Sequence, residues 1–187
     1  MRSFLSLFLL SVLVTGCAHP VKPPVEDRPG TEVDEGDDAT SSPETPENLT
    51  LQMGLIALED NGENGPLVGC GDSLIFVTET VAGPLTAEAK VQKALEALFA
   101  IKDSTYGESG LYTALDAAEL IVDSVHLEDD QLEVKLSGTL SSGGVCDDPR
   151  IVEQIKETAK NNVGLNSPLT VTVLINGVPV EQQLSGK

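Results

Sequence analysis

The chain has 187 residues and a formal net charge of −19, with 11 Lys and Arg against 30 Asp and Glu. This excess of negative charge repels nucleic-acid phosphates and anionic lipid headgroups, and so argues against DNA or RNA binding and against electrostatic docking on a membrane. Aromatic residues make up only 3% and tryptophan is absent, so the core of one domain must be built from Leu, Val, Ile and Ala.

The N-terminus has the pattern of an export signal. Arg2 precedes the apolar run Phe4–Val14, which is too short to span a bilayer but has the length of a signal-peptide core. Thr15 and Gly16 then lead to Cys17. This order resembles the bacterial lipoprotein signal, which implies that the preceding peptide, residues 1–16, is removed and that the cysteine thiol is lipidated. The alternative is an ordinary secretory signal with an incidental cysteine.

The same resemblance predicts where the protein resides. A lipoprotein cysteine carries two or more acyl chains, which hold a protein stably on a membrane. We therefore expect an exported protein, lipid-anchored to the bacterial cell membrane. Ala18, not Asp, follows the cysteine, which resembles proteins sorted to the outer membrane, on its periplasmic face, where two membranes are present.

Residues 17–48 are predicted to be a disordered, acidic, Pro-rich tether. Between Pro20 and Asn48 there are two basic and nine acidic residues, a net charge of −7. Almost no large apolar side chain is present, so nothing offsets the entropy cost of ordering. Prolines and like charges extend such a segment, which would hold the following domain away from the membrane.

Residues 49–187 are predicted to form one α+β domain. Its first strands are expected over Leu49–Leu58 and Leu74–Val81, with Asn-Gly turn signals between them. Within Thr86–Ile101, apolar residues recur at steps of three and four, which predicts an amphipathic helix with Thr86 as its N-cap.

The second half of the domain predicts a hairpin, a helix and a final hairpin. After a loop, Leu111–Leu115 is expected to form a short turn of helix. Glu119–Leu127 and Gln131–Gly138 flank an acidic turn and read as paired strands. Asp148 is the expected N-cap of the second helix, followed by a proline at its first position. Asn176-Gly177, between alternating apolar runs, predicts a hairpin with a type I′ turn.

The predicted order of elements is therefore β-β-α-β-β-α-β-β. Alternating strands with two short helices favour a two-layer α+β fold. We expect a mostly antiparallel sheet with both helices packed on one face.

Two cysteines remain if Cys17 is lipidated. Cys70 and Cys146 lie 76 residues apart, and paired cysteines in an exported domain usually form a disulfide. Closing a loop of this length stabilises the fold by about 4–5 kcal/mol in the chain-entropy model. The alternative is a metal or redox site formed with nearby aspartates, but the sequence has no CxxC pair and no suitably spaced histidine.

No motif in the chain predicts catalysis, a cofactor or a metal. His126 is the only histidine after residue 48 and lies on a predicted strand. Gly107–Gly110 lacks the spacing of a nucleophile elbow, and no phosphate-binding glycine loop is present. We therefore expect a protein that is not an enzyme.

One loop gathers much of the sparse aromatic content. Tyr106, Leu111 and Tyr112 lie beside glycines, and such a loop can form a contact surface. The alternative is that these side chains simply fill the core.

Taken in order, these elements resemble a GerMN domain, a family named after a spore-germination and sporulation lipoprotein. The resemblance covers about Leu51 to Val180, and it implies a ring-building-motif-like fold, a lipid-anchored envelope protein and no enzymatic residues. Two features depart from the family pattern: IKDSTYGESG after the first helix, and the two cysteines of the domain. The positions that match the family pattern are Val122, Val125, Leu132, Val134, Leu136, Ser137, Val171, Val173, Ile175, Asn176 and Gly177.

Three functions are compatible with this sequence. The first is a lipid-anchored module that binds another envelope protein or self-associates. The second is a binding module for cell-wall glycan or a small ligand, with a groove near Tyr106 and Tyr112. The third is a hydrolase that uses acidic residues alone, which needs a deep pocket with two converging carboxylates.

Overall fold

The computed structural model describes residues 48–164 and 169–185. The described residues all belong to one compact unit, Pro43–Lys187. The predictions for the signal peptide, for Cys17 and for the tether up to residue 47 lie outside the described residues.

The described part of the chain forms seven strands, three α-helices and one 3-10 turn. No helix within it has both the length and the apolarity needed to cross a bilayer. In chain order the elements are β1 Asn48–Ala57, β2 Leu67–Val68, the 3-10 turn Gly69–Gly71, β3 Asp72–Ala82, α1 Ala87–Phe99, β4 Glu119–Glu128, β5 Gln131–Thr139, α2 Asp147–Val163, β6 Thr170–Ile175, β7 Val178–Pro179 and α3 Val180–Ser185.

The strands are divided between two sheets. The first has the order β1-β3-β2 and the second the order β4-β5-β6-β7. All neighbours are antiparallel except β5 and β6, which are parallel. Helix α2 connects that parallel pair, because a strand that returns in the same direction needs a long crossover. The predicted α+β class with mostly antiparallel strands is confirmed, although the strands form two sheets rather than one.

One aliphatic core joins both sheets to the helices. Helix α1 buries Val91, Leu95 and Leu98, and α2 buries Ile151 and Ile155. The same core takes Met53 and Leu55 from the first sheet and Leu132, Val134, Leu136, Val173 and Ile175 from the second. The low aromatic content is therefore compensated by branched aliphatic side chains, as the composition predicted.

Two local predictions are confirmed in detail. Thr86 is the N-cap of α1, and its Oγ1 accepts a hydrogen bond from the backbone N–H of Ala89 at 3.2 Å. Asn176 and Gly177 have φ angles of 51° and 81°, and a type I′ turn requires positive φ at both central residues. The strand after this turn is shorter than expected, because α3 begins at Val180.

Two other local predictions are wrong. Leu111–Leu115 forms no helix, because Tyr112 exchanges backbone hydrogen bonds with Ile56 of β1 at 2.8 and 2.9 Å. Asp148 is not the N-cap of α2, since the helix begins at Asp147 and its N-cap, Cys146, has no side-chain capping bond. The Asp148 carboxylate instead accepts a hydrogen bond from Ser142 Oγ at 2.5 Å.

Three buried polar residues of α2 close the outer edge of β1. Asn162 accepts from the N–H of Gln52 at 3.0 Å and donates to its carbonyl at 2.7 Å. Thr158 Oγ1 accepts from the N–H of Gly54 at 2.8 Å, and Gln154 donates to the Gly54 carbonyl at 3.0 Å. These side chains do what a neighbouring strand would do for β1, and we call them the α2 polar ladder (Gln154, Thr158 and Asn162).

Candidate functional site

A disulfide between Cys70 and Cys146 ties the turn after β2 to the start of α2. The two Cα atoms lie 5.6 Å apart, and the predicted bridge is confirmed. The sulfurs are therefore bonded to each other rather than to a metal. Cys70 is exposed, Cys146 is half-buried, and Cys70 has a left-handed backbone with φ of 66°. The bridge thus lies at the surface of the domain.

Next to the disulfide, Arg150 binds two aspartates. Its Nε donates to Asp72 Oδ2 at 2.7 Å, Nη2 lies 2.7 Å from the same oxygen, and Nη1 donates to Asp147 Oδ1 at 2.8 Å. The Asp72 side chain is fully buried and that of Arg150 is only 14% exposed. Asp72 Oδ1 also accepts the backbone N–H of Glu59 at 3.0 Å. A buried charge is tolerated when it is paired and hydrogen-bonded in this way.

Tyr112 completes this cluster. Its hydroxyl donates to Asp147 Oδ1 at 3.1 Å, and the guanidinium of Arg150 lies over its ring, 5.4 Å from the centroid. Burial raises the pKa of the Tyr112 phenol above its usual value, and the negative charge of Asp147 adds to the rise. Burial lowers the pKa of Arg150, but the hydrogen bonds that it donates to Asp147 and Asp72 outweigh burial, and the pKa rises.

The Arg150 cluster (Tyr112, Asp72, Asp147 and Arg150) fixes three segments relative to one another. Asp72 opens β3, Asp147 and Arg150 occupy the first turn of α2, and Tyr112 belongs to the loop that pairs with β1. Two carboxylates do converge here, as the hydrolase hypothesis requires. Both bind the same guanidinium, however, which leaves neither of them free as a general acid or base.

The predicted contact loop packs against the domain. Tyr106, Leu111 and Tyr112 are all half-buried and contact the main core, as the core-filling alternative describes. The N–H of Tyr106 donates to the Leu111 carbonyl at 2.8 Å, so these two residues are adjacent. Tyr112 turns instead toward the Arg150 cluster. Each side chain retains some exposed surface, and the contact-surface interpretation stays a prediction.

In the part of the chain that the structure describes, the most exposed large aliphatic residues lie beside the half-cystines. Val145 is 84% exposed and precedes Cys146, and Leu67 is 68% exposed and lies three residues before Cys70. Two shallow depressions, of about 290 and 300 Å³, adjoin the first turn of α2. We call this region the α2 N-terminal surface. It consists of Leu67, Val145 and the lining of the two depressions: Gly143, Gly144, Cys146, Asp147, Asp148, Pro149, Arg150, Val152, Glu153, Glu181, Leu184 and Ser185.

Close packing between the 3-10 turn and α2 supports this surface. A Cβ atom added at Gly69 would meet Pro149 Cγ at 2.5 Å. Only a glycine therefore fits between the 3-10 turn and the first turn of α2. The disulfide, the Arg150 cluster and this contact together hold the two segments side by side.

Sequence reasoning missed Arg150 as a site residue. It is the only arginine after residue 28, and it lies three residues after Asp147 on a helix, a spacing that brings side chains together. No pattern among neighbouring residues predicts its ion pair with Asp72. The predicted disulfide does indicate that these two residues are close, because Asp72 lies two residues after Cys70 and Arg150 lies four residues after Cys146.

His126 and the acidic side chains are the remaining candidate groups. The imidazole of His126 is 70% exposed, and its Nε2 lies 3.8 Å from a carboxylate oxygen of Glu128. Within residues 48–164 and 169–185, no three His, Cys, Asp or Glu side chains are grouped so that they could hold a metal ion.

No protein-family model matches the chain, and no curated protein matches it. Among solved structures, the chain is similar to the tandem GerMN domains of the sporulation protein GerM from Bacillus subtilis. The TM-score is 0.44 and the identity is 13%, with 76% of this chain and 43% of that chain covered. The chain thus spans less than half the length of that structure.

Proposed function

We propose that this chain is a lipid-anchored protein of the cell envelope whose domain binds another envelope protein without catalysing a reaction. The observation that carries the proposal is the exposure of Val145 and Leu67 on two cross-linked segments. A contiguous exposed apolar patch rimmed by polar residues marks a site of protein interaction. Because the segments are already fixed, a partner would bind them with little loss of conformational entropy.

The structural context of Tyr112 weighs against the glycan-binding alternative. A sugar ring packs on an open aromatic face and bonds to free polar groups. One side of the Tyr112 ring is taken by Arg150, and its hydroxyl already donates to Asp147. The aliphatic side chains of the α2 N-terminal surface suit a protein partner better.

The interaction is tested by recovering the full chain from chemically crosslinked envelopes. We compare the wild-type chain with a Leu67→Ser and Val145→Ser double variant, and use Ile121→Ser as the control because Ile121 is 66% exposed on β4. Burial of a Val or Leu side chain contributes about 1.5–3 kcal/mol. The double variant should therefore recover at least about tenfold less of one defined partner, and the control should recover as much as wild type.

Two results would contradict this interaction. One is a chain that is always recovered alone. The other is a partner that is recovered equally with all three chains.

The anchor is proposed from the order of the apolar run, the small residues and Cys17. Labelled palmitate should enter the wild-type chain but not the Cys17→Ser chain, and the serine variant should leave the membrane fraction. Lipid anchoring would be contradicted if the wild-type chain took up no label and both chains stayed in the same fraction. That result would not bear on the interaction.

A further inference from the structure

A groove lies between the first two turns of α2 and the short helix α3. Its floor is apolar and consists of Pro149, Val152 and Leu184. Val152 and Leu184 also belong to the main core or pack against it, so the floor is held in place by the fold. The volume of about 290 Å³ suits one aliphatic side chain of a partner with room for the chain that carries it.

The rim of this groove is acidic. Asp148, Glu153 and Glu181 line it, and none of the described lining residues is basic. Glu181 pairs with Lys156 at 2.8 Å, and its hydrogen bond to that lysine lowers its pKa. Among the described residues, Glu153 forms no ion pair, and the hydrogen-bond donor to Asp148 is the neutral hydroxyl of Ser142. Two of the three carboxylates thus have no ion-pair partner among the described residues.

The charge of the domain restricts what can occupy the groove. Residues 48–187 carry eight basic and 21 acidic side chains, a net charge of −13. A second copy of the chain would be repelled, and so would its own acidic tether. Complementary charge across an interface favours both encounter and specificity.

We propose that the groove binds a basic segment of the partner, with an aliphatic side chain on the floor and Lys or Arg side chains at the rim. This inference rests on the proposed function and specifies the chemistry of the partner. The groove adjoins the exposed aliphatic residues, because Pro149 contacts the 3-10 turn next to Cys70. One continuous partner segment can therefore contact both parts of the α2 N-terminal surface.

The test places a photo-crosslinking residue at Ser185, which is exposed on the lining of the groove. The full chain is irradiated in intact envelopes and the linked peptide is sequenced. The same chain is also prepared with Glu153→Lys and Glu181→Lys together. The matched control carries Glu119→Lys and Glu128→Lys, which make the same charge change at exposed positions of β4.

The linked peptide should have a net positive charge and an aliphatic residue near the crosslink. The groove variant should lower the yield about tenfold, since juxtaposed like charges cost several kcal/mol, while the control retains it. A rise in salt from about 50 to 500 mM should also lower the yield, because exposed charges are screened. An acidic peptide, a second copy of this chain, a lipid adduct, or equal yields from the groove and control variants would overturn the inference.

A second probe separates this inference from the proposed function. For this probe the photo-crosslinking residue is placed at Val145. If Val145 captures a partner equally well with and without the groove substitutions, and Ser185 captures none, the groove proposal is refuted and the proposed interaction is retained. No protein captured from either position would refute both.

Discussion

Arg150 is the residue that holds the disulfide end of the domain together. It binds a fully buried aspartate, a second aspartate on its own helix and the face of Tyr112. Local sequence pattern predicts only the part of this network within α2, where Asp147 and Arg150 are three residues apart. The bond to Asp72 depends on long-range folding, which a single local window does not encode.

Replacing Arg150 with methionine should destabilise the domain strongly. Arg150→Met leaves the carboxylate of Asp72 buried without its cation, and breaking a buried pair in this way costs about 3–5 kcal/mol. The matched control is Lys135→Ala, which removes an exposed pair with Glu133 and should cost less than about 1 kcal/mol. Chemical denaturation of the full chain measures both, and equal losses would show that the buried cluster has no special role.

The Tyr112 phenol should ionise at a higher pH than a tyrosine in an unfolded chain. The protein has two tyrosines and no tryptophan, so in a Tyr106→Phe variant the tyrosinate absorbance comes from Tyr112 alone. Its midpoint should lie above 10.0, because burial and then Asp147 raise the pKa, and should return to about 10 in denaturant. A midpoint that is the same in folded and denatured protein would contradict this.

The raised pKa of Tyr112 also determines how the free energy of unfolding changes with pH. Because the folded pKa is higher than the unfolded one, the fold favours the neutral phenol. The contribution of Tyr112 is fully present below pH 10 and is lost as the pH rises through the folded pKa. The free energy of unfolding should therefore fall more steeply above pH 10 in the Tyr106→Phe variant than in a variant with both tyrosines replaced.

Helix α2 is the element that combines a structural role with a surface role. Its buried polar ladder closes the edge of β1. Its first two turns carry Asp147, Arg150 and one wall of the groove. The Asp148-Pro149 pair predicted a helix here. It did not predict the ladder, because Gln154, Thr158 and Asn162 look like solvent-facing residues until β1 is placed beside them.

Removing one member of the ladder should cost more than removing an exposed residue of the same type. Gln154→Leu leaves the N–H of Ala114 and the carbonyl of Gly54 without a partner, and each buried unpaired group costs about 1–3 kcal/mol. Gln92→Leu on α1 is the control, since Gln92 only contacts Glu96 at the surface. Thermal and urea denaturation compare the two variants, and a loss below about 1 kcal/mol for Gln154→Leu would contradict the role given to the ladder.

At the scale of the whole molecule, local pattern predicted the elements better than their arrangement. The hairpins and α1 depend on neighbours in sequence, so alternation and capping residues identified them. The division into two sheets and the parallel β5–β6 pair depend on which strands meet across the core, and alternation does not specify the neighbour. The candidate site was predicted through its cysteines and Tyr112, and its network of charges was found in the structure.

The disulfide should stabilise the whole domain, because it closes a loop with a sequence separation of 76. A Cys70→Ser and Cys146→Ser double variant should lose about 4 kcal/mol in the chain-entropy model. Denaturation of the oxidised wild-type chain and of this variant measures the loss. If both chains unfolded at the same denaturant concentration, the α2 N-terminal surface would owe its rigidity to the Arg150 cluster and to packing alone.

We propose that the α2 N-terminal surface binds another envelope protein. The most direct measurement is site-specific photo-crosslinking of the full chain in intact envelopes, with the probe at Val145 in one chain and at Ile121 in another. We expect one defined partner to be captured from Val145 and at least about tenfold less of it from Ile121. Equal capture from both positions, or none from Val145, would contradict it.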